Sequence, residues 1–377
     1  MAGLYIHIPF CKSRCIYCGF YSTVDLNLRQ QYVDALCKEM TLRPSSEPIK
    51  TIYLGGGTPS QLSIPQLRQL FLYINKVYGN DAEEITIEMN PDDVTMEYAT
   101  ILSQLGINRV SMGAQTFDNQ RLRFLHRRHQ AEQVQQAVNI LREADIQNIS
   151  IDLMYGFPNE TLDDWKRDID EALSLNVEHI SAYCLMIEEG TVLYEQMRNE
   201  KLGLELCSLA KARMRNEETE RAMYELLMDK LTEAGYEHYE ISNFARPGYR
   251  SRHNSSYWHD VPYIGLGAAA HSYDLKSRSW NIADIKEYIA SIQQGELPAE
   301  SEDIDEVTHY NDGITTALRT SDGLDLSTLS ERFRSYCLKE AQPFMADGLL
   351  QLANNHLALT RRGLFVSDYV MSSLIFV

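Results

Sequence analysis

Short β-like runs rich in Ile, Val, Tyr or Leu recur six times in the first half of the chain: Leu4 to Ile8, Thr51 to Leu54, Glu84 to Met89, Arg109 to Met112, Asn148 to Met154 and His179 to Leu185. Between them lie stretches of helical spacing, Leu28 to Leu42, Ile64 to Val77, Val94 to Leu105, Ala131 to Ala144 and Thr161 to Leu175. In the last of these Leu162, Trp165, Ile169, Ala172 and Leu173 recur three to four residues apart, the spacing that puts apolar side chains on one helix face. Regular alternation of strand and helix predicts right-handed βαβ units and a parallel sheet. Six units fall short of the eight-stranded barrel, so the expected fold is α/β, a partial (β/α)6 barrel. Its functional face is expected where strands feed into helices.

Beyond about residue 190 the pattern changes. A charged helical stretch, Leu209 to Ala234, leads to Tyr236 to Phe244, which alternates like a strand, and then to a loop-rich region, Ala245 to Ala270. Ile282 to Ile292 reads as a helix, and Gly295 to Pro298 with the acidic Glu300 to Glu306 reads as a connector. Helical Leu326 to Ala341, followed by Leu349 to Leu352, a turn, and Leu357 to Leu359, suggests an α+β, winged-helix-like unit. The expected domains are therefore 1–190 for the barrel core, 191–295 for an extension of it and 296–377 for the C-terminal unit.

Composition narrows the classes. The chain has 377 residues, 44% of them hydrophobic, and 35 Lys+Arg against 53 Asp+Glu give a formal charge of −18. That excess opposes the phosphate neutralisation on which nucleic-acid binding depends, so no nucleic acid is expected as a partner. The N-terminus lacks the basic and apolar regions of a signal peptide, and no run approaches ~18 apolar residues. Seven cysteines, an odd number in a long chain, point away from a disulfide scaffold and toward a reducing cytoplasm. Cys37, Cys184, Cys207 and Cys337 are scattered singly, with no expected role beyond packing.

The other three, Cys11, Cys15 and Cys18, form CxxxCxxC directly after the first predicted strand. Three thiolates so close can each hold one iron of a cubane [4Fe–4S] cluster, leaving the fourth iron open to an exchangeable ligand. The alternative, structural zinc, normally takes four ligands. Here no second CxxC exists, and His7 lies four residues upstream within a strand. Covalent c-type haem attachment needs His after the last cysteine, and Gly19 stands there.

CxxxCxxC after the first strand of such a chain resembles the radical S-adenosylmethionine (SAM) superfamily. Tyr5-Ile-His-Ile-Pro-Phe-Cys11, Gly55-Gly-Gly-Thr-Pro59, Ile87-Glu-Met-Asn-Pro91, Ser111-Met-Gly-Ala-Gln115 and Ile151-Asp-Leu-Met-Tyr-Gly-Phe-Pro158 resemble one branch of it. That branch holds oxygen-independent coproporphyrinogen III oxidase and the HemW-type haem chaperones. The resemblance implies SAM contacts at Tyr5, Tyr17, Gly56, Gly57, Thr58, Glu88, Gln115, Arg127 and Asp152. A triglycine turn leaves backbone N–H groups unobstructed, so it could cradle the amino and carboxylate end of SAM. Gly265 to Ser272 could line the SAM pocket or simply turn the chain.

Two features separate the branch members. The oxidases resemble chains with an N-terminal extension and a further cysteine two residues after the third. Here ten residues precede Cys11, and Phe20 stands in the cysteine position. His253-Asn-Ser-Ser-Tyr-Trp258 matches the HNxxYW run of the chaperone group, which implies a haem contact at His253, with Tyr257 and Trp258 against the porphyrin and Arg246, Arg250 and Arg252 near its propionates. His259 and His271 are weaker candidates.

The expected function is therefore that of a haem chaperone that carries haem, a [4Fe–4S] cluster and SAM and passes haem to an acceptor protein. The alternative is coproporphyrinogen oxidation in porphyrin biosynthesis by a 5′-deoxyadenosyl radical, and a third possibility is radical chemistry on an unrelated substrate. Radical chemistry implies a flavodoxin- or ferredoxin-type electron donor. A homodimer is also an expectation.

Overall fold

A computed structural model describes residues 2–198 and 217–377; Cys207 and the first part of the charged stretch expected from Leu209 lie outside the described residues. Strand β1 (Ala2–Ile8) shows how the sheet is built. Leu4, Ile6 and Ile8 are fully buried on one face, and the alternate Tyr5 and His7 turn to the other. Strands β2 (Ile49–Gly56), β3 (Glu84–Met89), β4 (Arg109–Gln115), β5 (Asn148–Tyr155) and β6 (His179–Cys184) follow in spatial order, each parallel to the last.

The outer face is covered by α1 (Arg29–Leu42), α2 (Ile64–Tyr78), α3 (Met96–Gln104), α4 (Asn119–Phe124), α5 (Ala131–Glu143) and α6 (Leu162–Ser174). Leu36, Leu67, Leu102, Val138 and Ile169 join the outward strand residues in one core. The inner face is polar: Tyr53, Glu84, Thr86, Arg109, Ser150 and His179 are all buried there. The sheet is an open partial barrel. One edge continues through the hairpin β7 (Glu237–Glu240) and β8 (Asn243–Ala245), the other through β9 (Tyr263–Leu266), β10 (His271–Tyr273), β11 (Ser277–Asn281) and β12 (Ala299–Asp303).

The second half departs from the sequence pattern in four places. β9 runs parallel to β1 and extends the parallel part of the sheet. Tyr236 to Phe244 is a hairpin, because Ile241 and Ser242 interrupt the ladder at its turn. The supposedly loop-rich region contains a helix, Arg252–Trp258, which Ser251 starts by accepting a hydrogen bond from the Asn254 N–H. The acidic stretch read as a connector is strand β12, all five residues exposed, paired with β11. The large sheet thus continues through Asp303.

The C-terminal unit has its own core, including Tyr310, Ile314, Phe333, Phe344, Leu357 and Val370. Three further helices, Glu306–Ala317, Glu331–Ala346 and Ser367–Leu374, pack on a small antiparallel sheet, Leu324–Asp325, His356–Leu359 and Leu350–Ala353 in spatial order. This matches the winged-helix-like expectation. The unit is fastened to the barrel edge at β7, where Arg319 pairs with buried Glu240 at 2.8 Å and the Ser321 N–H donates to the Tyr239 carbonyl at 2.9 Å.

Candidate functional site

The cysteine loop leaves β1 and is closed by two backbone hydrogen bonds, Cys11 N–H to the Thr23 carbonyl (2.9 Å) and Thr23 N–H to the Pro9 carbonyl (2.7 Å). Ile16 anchors its middle in a small apolar core with Leu125, Met154, Phe157, Leu185 and Leu193, against which Tyr17 packs. Cys11, Cys15 and Cys18 are unpaired thiols, each partly exposed. Burial, helped by the neighbouring thiols and opposed by hydrogen bonds, leaves the Cys11 and Cys18 thiols above their ordinary pKa.

Thr58 donates its hydroxyl toward Cys11 Sγ (3.7 Å), and Arg127 Nη1 donates to Cys15 Sγ (3.6 Å). Among the described residues, no three His, Cys, Asp or Glu side chains converge as they would around a single metal ion. In a cubane each thiolate meets a different iron, so the donors need not converge on one point. The donor set of three soft thiols and no fourth ligand therefore fits a [4Fe–4S] cluster with one open iron.

The triglycine brings β2 against this loop by close backbone approach. Gly56 has φ +105°, and a Cβ there would lie 2.4 Å from the His7 ring; a Cβ on Gly57 would lie 2.8 Å from the Pro9 backbone. The N–H of Gly57 donates to the Ile8 carbonyl (2.9 Å), that of Thr58 to Phe10 (2.8 Å) and that of Gly56 to Glu88 (3.3 Å). These groups are thus engaged within the protein, so the cradle of free N–H groups expected from the sequence is not displayed. The turn instead clamps strand to loop.

Glu88 on β3 and Asp152 on β5 stand on interior strands with β4 between them. Burial pushes the Glu88 carboxyl up to about 7, although Tyr53 donates its hydroxyl to it at 2.7 Å. Burial likewise pushes Asp152 up to about 6, against the attraction of the Arg109 guanidinium. Tyr5 lies one position along β1, hydrogen-bonded to His7 at 3.0 Å and stacked on Tyr53 with centroids 6.3 Å apart.

Gln115 is buried at a bulge between β4 and β5, with a left-handed φ of 67° rare for a non-glycine residue. Arg127 reaches across, its Nη2 donating to the Gly113 carbonyl (2.6 Å) and to Asn90 Oδ1 (2.7 Å). A Cβ on Gly113 would lie 2.7 Å from Gln115 Nε2 and 3.0 Å from Arg127 Nη2. Sequence reasoning missed Gly113, Asn90 and Tyr53. Asn90 and Gly113 sit inside motifs already singled out, but a tyrosine within a strand carries no signal of its own.

His253 lies elsewhere, near the opposite end of the barrel. It is buried beside Gly3 and Thr51, at the start of strands whose other ends carry the cysteine loop and triglycine, and Gly3 to Ile8 alone spans about 16 Å of strand. Nδ1 shares a hydrogen bond with Thr51 Oγ1 (2.8 Å), Nε2 shares one with Tyr257 Oη (2.8 Å), and the ring stacks on Tyr53 at 5.1 Å. Burial, with Arg109 nearby, lowers its pKa to about 3. A neutral imidazole with both nitrogens engaged offers no free lone pair to haem iron in this arrangement.

The expected propionate partners are also committed. Arg252 pairs with Glu83, Arg250 with Glu237 (3.0 Å) and Asp322 (3.2 Å), and Arg246 stacks on Tyr236 at 4.8 Å. The backbone N–H groups of Arg252 and His253 both donate to Glu84, a carboxylate at the helix N-terminus. As placed, the HNxxYW run closes the lower end of the barrel.

The family description "Radical SAM superfamily" matches residues 5–172, and "HemN C-terminal domain" matches 307–366. A protein named heme chaperone HemW from Bacillus subtilis is 38% identical over 342 residues, covering 88% of this chain and 87% of that one. This chain belongs to the HemW family. HemW from Mycobacterium tuberculosis H37Rv is 31% identical over 99% of this chain and 94% of its own length, and HemW from Escherichia coli is 32% identical over 71% and 69%. The HemW-family chain also shares its fold with coproporphyrinogen III oxidase (HemN) from Escherichia coli, described as a radical SAM enzyme. The TM-score is 0.80 at 23% identity, covering 99% of this chain and 90% of that one.

Proposed function

We propose that this chain is a haem chaperone: it binds haem and hands it to an acceptor protein, while carrying a [4Fe–4S] cluster on Cys11, Cys15 and Cys18. SAM would be held over the open iron by Tyr5, Tyr17, Thr58, Glu88, Gln115, Arg127 and Asp152, with Gly56 and Gly57 shaping the turn. The observation that carries the reading is the identity to proteins named HemW along nearly the whole chain. Phe20, in place of a fourth cysteine and 70% exposed, agrees with it. The cluster and SAM supply either one-electron radical chemistry or a regulatory input to haem binding. An external flavodoxin- or ferredoxin-type donor belongs to the first case.

A role for His253 as haem ligand would require release of one ring nitrogen, from Thr51 or from Tyr257. No described helix is long and apolar enough to cross a membrane, which is compatible with work in the cytoplasm. The test is haem titration of the reconstituted protein, followed by transfer to an apo-haemoprotein, with and without SAM. Uptake and transfer are expected; conversion of coproporphyrinogen III to protoporphyrinogen under anaerobic conditions would favour the oxidase reading instead.

A further inference from the structure

Acidic residues outnumber basic ones 53 to 35 along the chain, yet two short segments reverse that balance. Residues 11–24, the cysteine loop, and residues 119–131, which hold α4 and the turn after it, contain Lys12, Arg14, Arg121, Arg123, Arg127 and Arg128 and neither Asp nor Glu. The fold lays the two segments side by side: the Ile16 N–H donates to the Leu125 carbonyl at 3.3 Å, and Arg127 donates to Cys15 Sγ at 3.6 Å. Three of these cations are spent inside the protein, Arg121 on Glu160 and Asp164, Arg128 on Asp92 and Asp93, and Arg127 on Gly113 and Asn90. Lys12, Arg14 and Arg123 are exposed and pair with no carboxylate among the described residues.

We propose that the solvent face of the cysteine loop, with Lys12, Arg14 and Arg123 around Phe20 and Val24, is the docking surface for a small acidic protein that delivers one electron to the cluster; the assignment rests on the cluster reading. Phe20 is 70% exposed and Val24 57%, unusual for large apolar side chains on one short loop. The hydrogen bond from the Cys11 N–H to the Thr23 carbonyl sets Lys12 beside Val24, and Phe20 stands two residues beyond Cys18. Exposed apolar side chains ringed by unpaired cations make an interface with a centre that sheds water and a charged rim that selects the partner. Glu188, from the turn after β6, comes close to Gly19 and ends the basic surface on that side.

Charge identifies the partner. A chain of formal charge −18 repels an acidic protein over most of its surface, so the few unpaired cations at the loop steer the encounter to the one place where electron transfer is useful. Lys12 and Arg14 lie between Cys11 and Cys15 in the sequence, so a partner seated on them stands next to the residues that hold the cluster. One electron passes: the carrier is oxidised by one equivalent, the cluster is reduced by one, and no bond or proton moves. Three cations fall short of the roughly six to ten phosphate contacts of a strongly salt-dependent nucleic-acid site, which leaves the acidic protein as the occupant.

The probe is flavodoxin, an acidic one-electron carrier, added anaerobically to the cluster-loaded full-length protein. Calorimetry reads the affinity for oxidised flavodoxin, and bleaching of the visible absorption reads the rate of cluster reduction by the reduced form. Wild type is expected to bind and to be reduced, both less well as salt rises. The double variant Lys12→Glu with Arg14→Glu should lose at least about tenfold in affinity and rate at low salt, and most of the salt dependence. Photoreduced deazaflavin, which needs no docking, should reduce its cluster at the wild-type rate. Phe20→Ala should weaken binding and keep the salt dependence, and Lys339→Glu, on the C-terminal unit, should match wild type. A cluster-loaded double variant with wild-type affinity and rate overturns the assignment. Equal slowing by both reductants does so too, because it traces the effect to the cluster's potential. So does wild-type protein that binds an oligonucleotide through these residues and no flavodoxin. Wild-type protein that assembles no cluster overturns the cluster reading itself, and the assignment with it.

Discussion

Tyr53 donates its hydroxyl to Glu88 across 2.7 Å while its ring stacks on buried His253. One residue thus joins a carboxylate at the triglycine end of the barrel to the helix at its other end. Because this bond favours the ionised carboxylate, Tyr53→Phe should raise the Glu88 pKa above its present value of about 7. SAM affinity at pH 7 should fall by up to about 1.5–3 kcal/mol, the range for a hydrogen bond to a charged group, with partial recovery at higher pH. Calorimetric titration at the two pH values decides it; equal affinities at pH 7 would remove Tyr53 from the site.

The same carboxylates set a pH trend in the protein without SAM. Glu88 is raised from 4.5 to about 7 and Asp152 from 3.8 to about 6, so the folded state holds more protons than the unfolded one in that window. Their contribution to stability is therefore full at low pH and is lost as pH rises through the folded values. Glu88→Gln should flatten the decline between pH 5 and pH 8, read as urea midpoints. A variant with the wild-type slope would show that Glu88 is not the group responsible.

Arg127 and Cys15 should behave differently on substitution. Arg127→Met leaves three thiols in place but removes the donor to Cys15 Sγ and the ties to Asn90 and Gly113. The cluster should assemble anaerobically and decay faster in air. Cys15→Ala should fail to hold it at all. Iron and sulfide content, with the visible absorption followed after air exposure, distinguishes the two; a Cys15→Ala protein with full iron would overturn the cluster assignment.

Two glycines separate steric cost from positioning. A Cβ on Gly265 would lie 1.9 Å from the backbone oxygen of His271, whereas one on Gly113 meets only the ends of the Gln115 and Arg127 side chains. Gly265→Ala should cost about 1–3 kcal/mol or more in stability, as overpacking against an immovable group does. Gly113→Ala should cost less than that while displacing Arg127, so its cluster should share the air sensitivity of Arg127→Met. Equal unfolding midpoints for the two variants would contradict this distinction.

The barrel was legible because its outward strand residues carry the strongest local signal: Leu4, Ile6 and Ile8, or Ile149, Ile151 and Leu153, repeat with the period of a strand. The cysteine loop was legible because metal-binding chemistry fixes both residue type and spacing. What the sequence hid depends on the third dimension. Ser251 starts a helix where Pro, Gly and aromatic residues suggested a loop, and Glu84, remote in sequence, stabilises that start. Asp303 closes a strand that its acidic neighbours disguised as a linker. His253 matches a motif, but only the fold reveals that Thr51 and Tyr257 occupy its nitrogens.

Strand β12 has a consequence for self-association. An open sheet exposes unpaired backbone donors and acceptors at its rim, and a second molecule could extend the ladder there. Here that rim carries Glu300, Glu302 and Asp303, all exposed. Two copies brought edge to edge would set like charges against each other, which discourages such pairing. A homodimer of this chain would therefore have to meet through some other surface.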